Sequence, residues 1–327
     1  MRAAVAHADL PAALQLRRRA GARHTLRDRW LPELRAAGVG LVVGAVFVHP
    51  LFLPEGALRA ALEQVDAVLE EAADCGAAVV TTAAELDAAV AAERLALVLA
   101  LEGAEPLTSP ALLGPFFRLG VRLLGLTWNG RNAYADGCDL DGGLTAAGRD
   151  LARAAWALGM ALDVSHLSDA GFRELLALGD GPVLASHSNC RALCGHRRNV
   201  TDGQLAALGA RGAVVGVNQV RFLARRPGSP GTVDDLCAHL LRTEAVAGRG
   251  TACLGLDLAR GYDEAVPRPL DDWRARAAAE PEDILEGFGA IRRLEARLLA
   301  GGLPPADVDG IVGGNLTAFL RRALPPG

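Results

Sequence analysis

The 327-residue chain contains no lysine. With alanine, arginine and glycine abundant, this points to a GC-rich coding sequence, and a carboxylated lysine has no part in whatever chemistry the chain carries. No apolar stretch reaches the roughly 18 residues a membrane-spanning helix needs. No signal peptide is read either, because His7 and Asp9 fall where its n-region would lie. These absences predict a cytoplasmic protein. No GxGxxG follows the first apolar run, which disfavours a dinucleotide fold. The six cysteines form no CxxC pair and their spacing is irregular, so reduced and mostly buried thiols are expected. Cys190, Cys194 and His196 lie close in sequence, but no fourth ligand accompanies them to make a zinc knuckle. The charge is also nearly balanced, at −4. Nothing in it favours nucleic acid or an anionic membrane surface, and Arg17, Arg18 and Arg19 read as a solvated helix face.

Hydrophobic residues make up 51% of the chain, which excludes a disordered protein and is enough for one large core. Eight short apolar runs read as buried parallel strands, over 3–7, 39–48, 95–101, 121–127, 160–165, 182–186, 213–217 and 252–257. Helical patterns fill the gaps, among them 57–74, 145–158, 168–178 and 201–208, the last three with Thr145, Ser168 and Thr201 as N-caps. Strand and helix alternating eight times predict a (β/α)8 TIM-type barrel. Further helices over 280–300 and 306–322 are expected to pack on it, so that residues 1–327 form one domain with a C-terminal helical part from about 265. The Pro/Gly-rich segment 224–232 reads as a loop able to act as a lid.

Five metal-binding side chains stand directly behind these runs: His7, Asp9, Glu102, His166 and His187. In His7-Ala8-Asp9 the two-residue period of an extended chain puts both ligands on one side. Glu102 follows seven apolar residues, and an ionised carboxylate there needs a partner. His166 and His187 each follow a serine at a strand end. Taken singly, each has a plain structural explanation. Together they fit two divalent ions such as zinc, with His7, Asp9 and Glu102 on one and Glu102, His166 and His187 on the other. In the absence of lysine the bridging ligand must be a carboxylate, and Glu102 is the candidate.

The segments HADLP (7–11), LEG (101–103), LGVRLLGLTWN (119–129), ADG (135–137), LGMALDVSHLS (158–168), PVLASHSNCRAL (182–193), RRNVTDGQL (197–205), GAVVGVN (212–218) and GLD (255–257) occur in this order. In order and spacing the chain resembles the membrane dipeptidase (renal dipeptidase) family of zinc peptidases over nearly its whole length. The resemblance implies a barrel with two zinc ions that hydrolyses dipeptides with free amino and carboxyl termini, often with a D-residue at the C-terminal position. It implies the five ligands above, Arg198 as the group that binds the substrate carboxylate, and Asp257 as the catalytic acid. Homodimerisation is common in that family, and no residue of this chain establishes it.

Two positions depart from the family pattern. Where the family often has a histidine that steadies the oxyanion, this chain has Trp128, which can donate one hydrogen bond but carries no charge. After the matched Asp257, Leu258-Ala259-Arg260 replaces the usual acid and glycine. These departures keep open a metal-dependent hydrolase of another amide or ester on the same barrel. A non-catalytic scaffold is disfavoured by the intact ligand set. Asn129 and Tyr134, in the loop after the fourth run, and His49, behind the second, are further candidates for substrate contact.

Overall fold

A computed structural model of the chain describes residues 3–258 and 283–327. Nine strands run parallel: β1 (Ala3–Ala8), β2 (Val39–Phe47), β3 (Ala78–Val79), β4 (Ala96–Glu102), β5 (Val121–Gly125), β6 (Ala161–Asp163), β7 (Val183–Leu184), β8 (Val215–Val217) and β9 (Ala252–Leu254). Their order is β7-β6-β5-β4-β2-β1-β9-β8, and a bridge between Ala185 and Val215 joins the two ends. The result is a nearly closed (β/α)8 barrel of the TIM type. Each of the eight expected strands is present. The additional β3 pairs with Ala96 and Leu97 at the start of β4, while β5 pairs with Leu99–Leu101 further along. It lies in the apolar run AAVV (77–80), which is shorter than any of the eight runs read as strands.

Two layers of apolar side chains follow from the strand period of two. Inside the barrel lie Ala4, Ala6, Leu41, Val43, Ala96, Val98, Ala100, Leu123, Ala161, Leu184 and Cys253. Val5, Val42, Leu97, Leu99, Leu162 and Leu254 face the surrounding helices instead. Many interior positions are alanine or valine, and the C-terminal helix Asn315–Ala323 fills the remaining space. Its Leu316, Phe319 and Leu320 join the interior cluster. The expected helix over 306–322 is thus real, though it runs as Pro305–Asp309 and Asn315–Ala323 with a π-turn at Gly310–Gly314 between them. The helix expected over 280–300 begins at Ile291, and residues 265–282 of the expected C-terminal part lie outside the described residues.

The helix starts predicted from Thr145, Ser168 and Thr201 are all capped by those side chains, and Thr201 forms a full capping box with Gln204. Arg18 and Arg19 lie on the exposed side of the helix Leu10–Arg19 and pair with Asp66 and Glu63 of the helix Ala57–Cys75. The 224–232 loop is tied to a buried carboxylate: Asp235 accepts from Arg226 Nε, Ser229 Oγ and the Thr232 amide. No helix among the described residues is long and apolar enough to cross a membrane.

Candidate metal centre

The strand period carries Glu102 into the barrel, because it continues the inward row Ala96, Val98, Ala100 along β4. The same rule would send His7 outward, in phase with Ala3 and Val5. A bulge between Val5 and Ala8 inserts one extra residue in β1 against β2, and the phase flips. His7 therefore ends buried inside the barrel with 2% of its surface exposed. His166 and Asp257 stand just past β6 and β9 with φ of 71° and 51°, a left-handed backbone that re-aims each side chain. Non-glycine residues in that region cost energy, and both of these occur where side chains converge.

Glu102 is the hub of the convergence. Its Oε1 lies 2.9 Å from His166 Nε2 and 3.4 Å from His187 Nε2, and its Oε2 lies 3.5 Å from His7 Nε2. Asp9 and Asp257 approach the same His7 nitrogen at 3.7 and 3.8 Å. Among the described residues, the groups close enough to share an ion are His7, Glu102 and His187, and His7, Asp9 and Asp257. Cys190, Cys194 and His196 are not such a group: Cys190 Sγ contacts the His239 carbonyl and Cys194 Sγ that of Phe222.

The proton inventory shows what the cluster lacks. Asp163, buried inside the barrel, accepts hydrogen bonds from the Ser165 amide, the Ser186 amide and the Ser186 hydroxyl. With its proton committed to Asp163, the Ser186 oxygen can only accept from His187 Nδ1, 2.7 Å away. That fixes the His187 tautomer and leaves Nε2 as a bare lone pair. Asn129 Oδ1, 2.7 Å from His166 Nδ1, does the same for His166. Arg198 Nε is further from that nitrogen, at 3.2 Å, and cannot donate to it while it is protonated. His166 Nε2 and His187 Nε2 then face each other at 2.8 Å, beside a carboxylate oxygen, with no proton between them. His7 Nε2 and Asp9 Oδ1 are buried and have no hydrogen-bond partner among the described residues. Imidazole nitrogens and carboxylate oxygens converging in this way fit divalent cations.

The electrostatics agree. Burial opposes a charged His7, yet Glu102, Asp9 and Asp257 outweigh it and hold the imidazole well above its ordinary value. Burial pushes Glu102 up to about 7 against the pull of His7, and raises Asp257 likewise. His166 and His187 are held well below the usual range, by burial first and then by the charges of Arg198 and His7. The raised values at His7, Glu102 and Asp257 mean that this buried cluster holds protons, which a divalent cation would displace.

A cavity of about 470 Å³ opens above the cluster. Asp9, Glu102, His166, Asn218 and Asp257 form its floor with Arg198, and Trp128, Asn129 and His49 also line it. Arg198 is buried; one N–H from each terminal nitrogen goes to Ser188 Oγ and to the His187 carbonyl. The second N–H on each nitrogen makes no hydrogen bond among the described residues and is available to a ligand. Trp128 packs between Phe47 and His166, with ring centroids 5.3 and 5.9 Å away. Asn129 touches the cavity, but its amide oxygen is engaged by His166. Tyr134 is placed elsewhere: it does not line this cavity, it is 3% exposed, and its hydroxyl donates to the Leu107 carbonyl. Expected to touch substrate, the ring is part of the core instead. Leu258 lies beside a neighbouring hollow, and Ala259 and Arg260 lie outside the described residues.

Sequence reasoning missed Asp163, Ser186 and Asn218. Asn218 Nδ2 donates to Asp257 Oδ2 at 2.8 Å and fixes that carboxylate. Asp163 had a legible signal, an acid inside an apolar strand run, since such a group needs buried partners.

Comparison with known proteins places this geometry. The chain is 32% identical over 257 residues to an uncharacterized dipeptidase of Schizosaccharomyces pombe, covering 69% of this chain and 59% of that one. It is 28% identical over 308 residues to dipeptidase 3 of Macaca fascicularis, covering 90% and 58%. The chain thus spans about three fifths of those relatives' own length. A solved metallo peptidase from Rhodobacter sphaeroides, liganded with a phosphinate mimic of the dipeptide L-Ala-D-Ala, superposes with a TM-score of 0.84 at 25% identity, covering 99% of each chain. With the family model of membrane dipeptidases (peptidase family M19) matching residues 3–323, the chain belongs to that family.

Proposed function

We propose that the protein is a metal-dependent dipeptidase that hydrolyses dipeptides with free amino and carboxyl termini, a D-residue at the C-terminal position included. The observation that carries this reading is the convergence of His166 Nε2, His187 Nε2 and Glu102 Oε1 in one buried cluster. Family membership and the dipeptide mimic bound by the Rhodobacter sphaeroides relative support it. Two zinc or similar divalent ions would be held by His7, Asp9 and Glu102 on one side and by Glu102, His166 and His187 on the other. Bound there, such ions supply Lewis acidity toward the scissile carbonyl and lower the pKa of water.

The chain's own residues do the rest. Arg198 offers two N–H bonds side by side, the fork that suits a substrate carboxylate. Asp257 is the proton carrier: it takes a proton from the attacking water and gives it to the departing amine nitrogen. Burial raises its carboxyl toward a range where both transfers are feasible. Asn218 holds one Asp257 oxygen and leaves the other directed at the cluster. Asn129 and Ser186 orient the two histidines, and Trp128 shields His166 from solvent. His49 lines the cavity wall.

The test is Glu102→Gln. An amide keeps the shape but cannot bridge two cations, so dipeptide hydrolysis should fall at least about a thousandfold. Bound metal, counted by elemental analysis, should drop by at least one ion per chain. Full activity with full metal content would refute the assignment.

A further inference from the structure

The cavity above the candidate metal cluster is lined by two apolar groups, Phe47, Pro50 and Trp128, and Val220, Phe222 and Leu223. Phe222 is 54% exposed, an aromatic ring left in solvent at the mouth of a polar-floored cavity. Its wall is fastened to the segment that carries Arg198. Asn199, next in sequence, donates to the carbonyls of both Cys194 and Leu223. Cys194 Sγ contacts the Phe222 carbonyl, and the His196 ring meets the Phe222 ring edge-on at 5.6 Å.

From this geometry we infer that the enzyme selects dipeptides whose C-terminal side chain is bulky and apolar, with Phe222 as the specificity-determining contact. The inference rests on the dipeptidase reading. With the substrate carboxylate on Arg198, the C-terminal side chain branches one carbon away. It meets the Phe222 and Leu223 wall in one configuration and the Trp128 and Phe47 wall in the other, and both remove apolar surface from water. Arg198 is the sole arginine among the described lining residues, and the substrate's own carboxylate takes it. An acidic side chain laid on these apolar residues would be desolvated without a second arginine among the described lining residues to pair with.

The experiment measures kcat/KM of the zinc-loaded full chain on alanyl dipeptides ending in Gly, Leu, Phe or Glu, each chiral residue in both L and D forms. The dipeptides ending in Phe and Leu are expected at least about tenfold above those ending in Gly and Glu, the discrimination a few apolar groups provide. Phe222→Ala should cut the Phe-to-Gly ratio by about tenfold, and Phe222→Leu should restore part of it. Calorimetry with phosphinate dipeptide mimics ending in Phe or Gly should show the same order in binding. Cleavage of the whole panel with no preference, or with Glu preferred, would overturn the inference and leave the dipeptidase reading standing. Cleavage of none would overturn both.

Discussion

Glu102 Oε1 sits 2.9 Å from His166 Nε2, and the other oxygen of the same carboxylate turns to His7 at 3.5 Å. One side chain at the end of β4 thus addresses ligands from opposite parts of the barrel. Every inward residue below it on that strand is alanine or valine. The strand lifts one carboxylate out of an apolar shaft to the mouth, where it can be shared.

The histidines depend on groups behind them. Asp163→Asn would put an amide where the Ser186 hydroxyl has its acceptor, and His187 Nδ1 would lose its fixed partner. Metal affinity should fall about 10- to 100-fold, as for other losses behind a ligating histidine. Ser186→Ala should act in the same direction. Competition with a chromogenic chelator measures this directly, and unchanged affinity in both variants would remove Asp163 and Ser186 from the account.

Close packing of strands should be equally sensitive. A Cβ on Gly216 would lie 2.0 Å from the Ser186 carbonyl oxygen and 2.8 Å from Gly255 Cα. Both obstacles are backbone and cannot swing aside. Gly216→Ala should therefore lower stability by about 1–3 kcal/mol, the usual cost of overpacking. The denaturant midpoint should drop with an unchanged m-value. Because Ser186 is the atom displaced, metal affinity should weaken as well.

A pH effect is expected far from the metals. His239 is fully buried, accepting from the Cys190 amide and donating to the Ala224 carbonyl. Burial lowers its pKa from 6.5 to about 4. The unfolded chain takes up a proton below pH 6.5 and the folded one does not, so stability is lost as pH falls toward 4. Between pH 7.5 and pH 5 the loss is about 2 kcal/mol, from roughly 1.36 kcal/mol per unit over 1.5 units. Thermal or urea unfolding at the two pH values, compared with His239→Gln, isolates it; an equal pH effect in the variant would contradict it.

The barrel was legible because its strands are continuous apolar runs, several of them ending in a histidine, aspartate or glutamate. The eight runs, their parallel order and the positions of His7, Asp9, Glu102, His166 and His187 could all be read from pattern. What could not be read depends on local backbone geometry. The bulge in β1 that turns His7 inward leaves no compositional trace, and neither do the positive φ angles at His166 and Asp257. Tyr134 shows the opposite failure, since its polar loop neighbours concealed a buried ring. Asp163 falls inside the run read over 160–165, and it acts on the cluster only through Ser186.

The most direct test is hydrolysis of a mixed panel of L-L and L-D dipeptides by the zinc-loaded protein, beside the same protein stripped by chelator. The account predicts release of free amino acids by the loaded protein, none by the stripped one, and recovery on adding zinc. Two metal ions bound per chain with no dipeptide cleaved would contradict it.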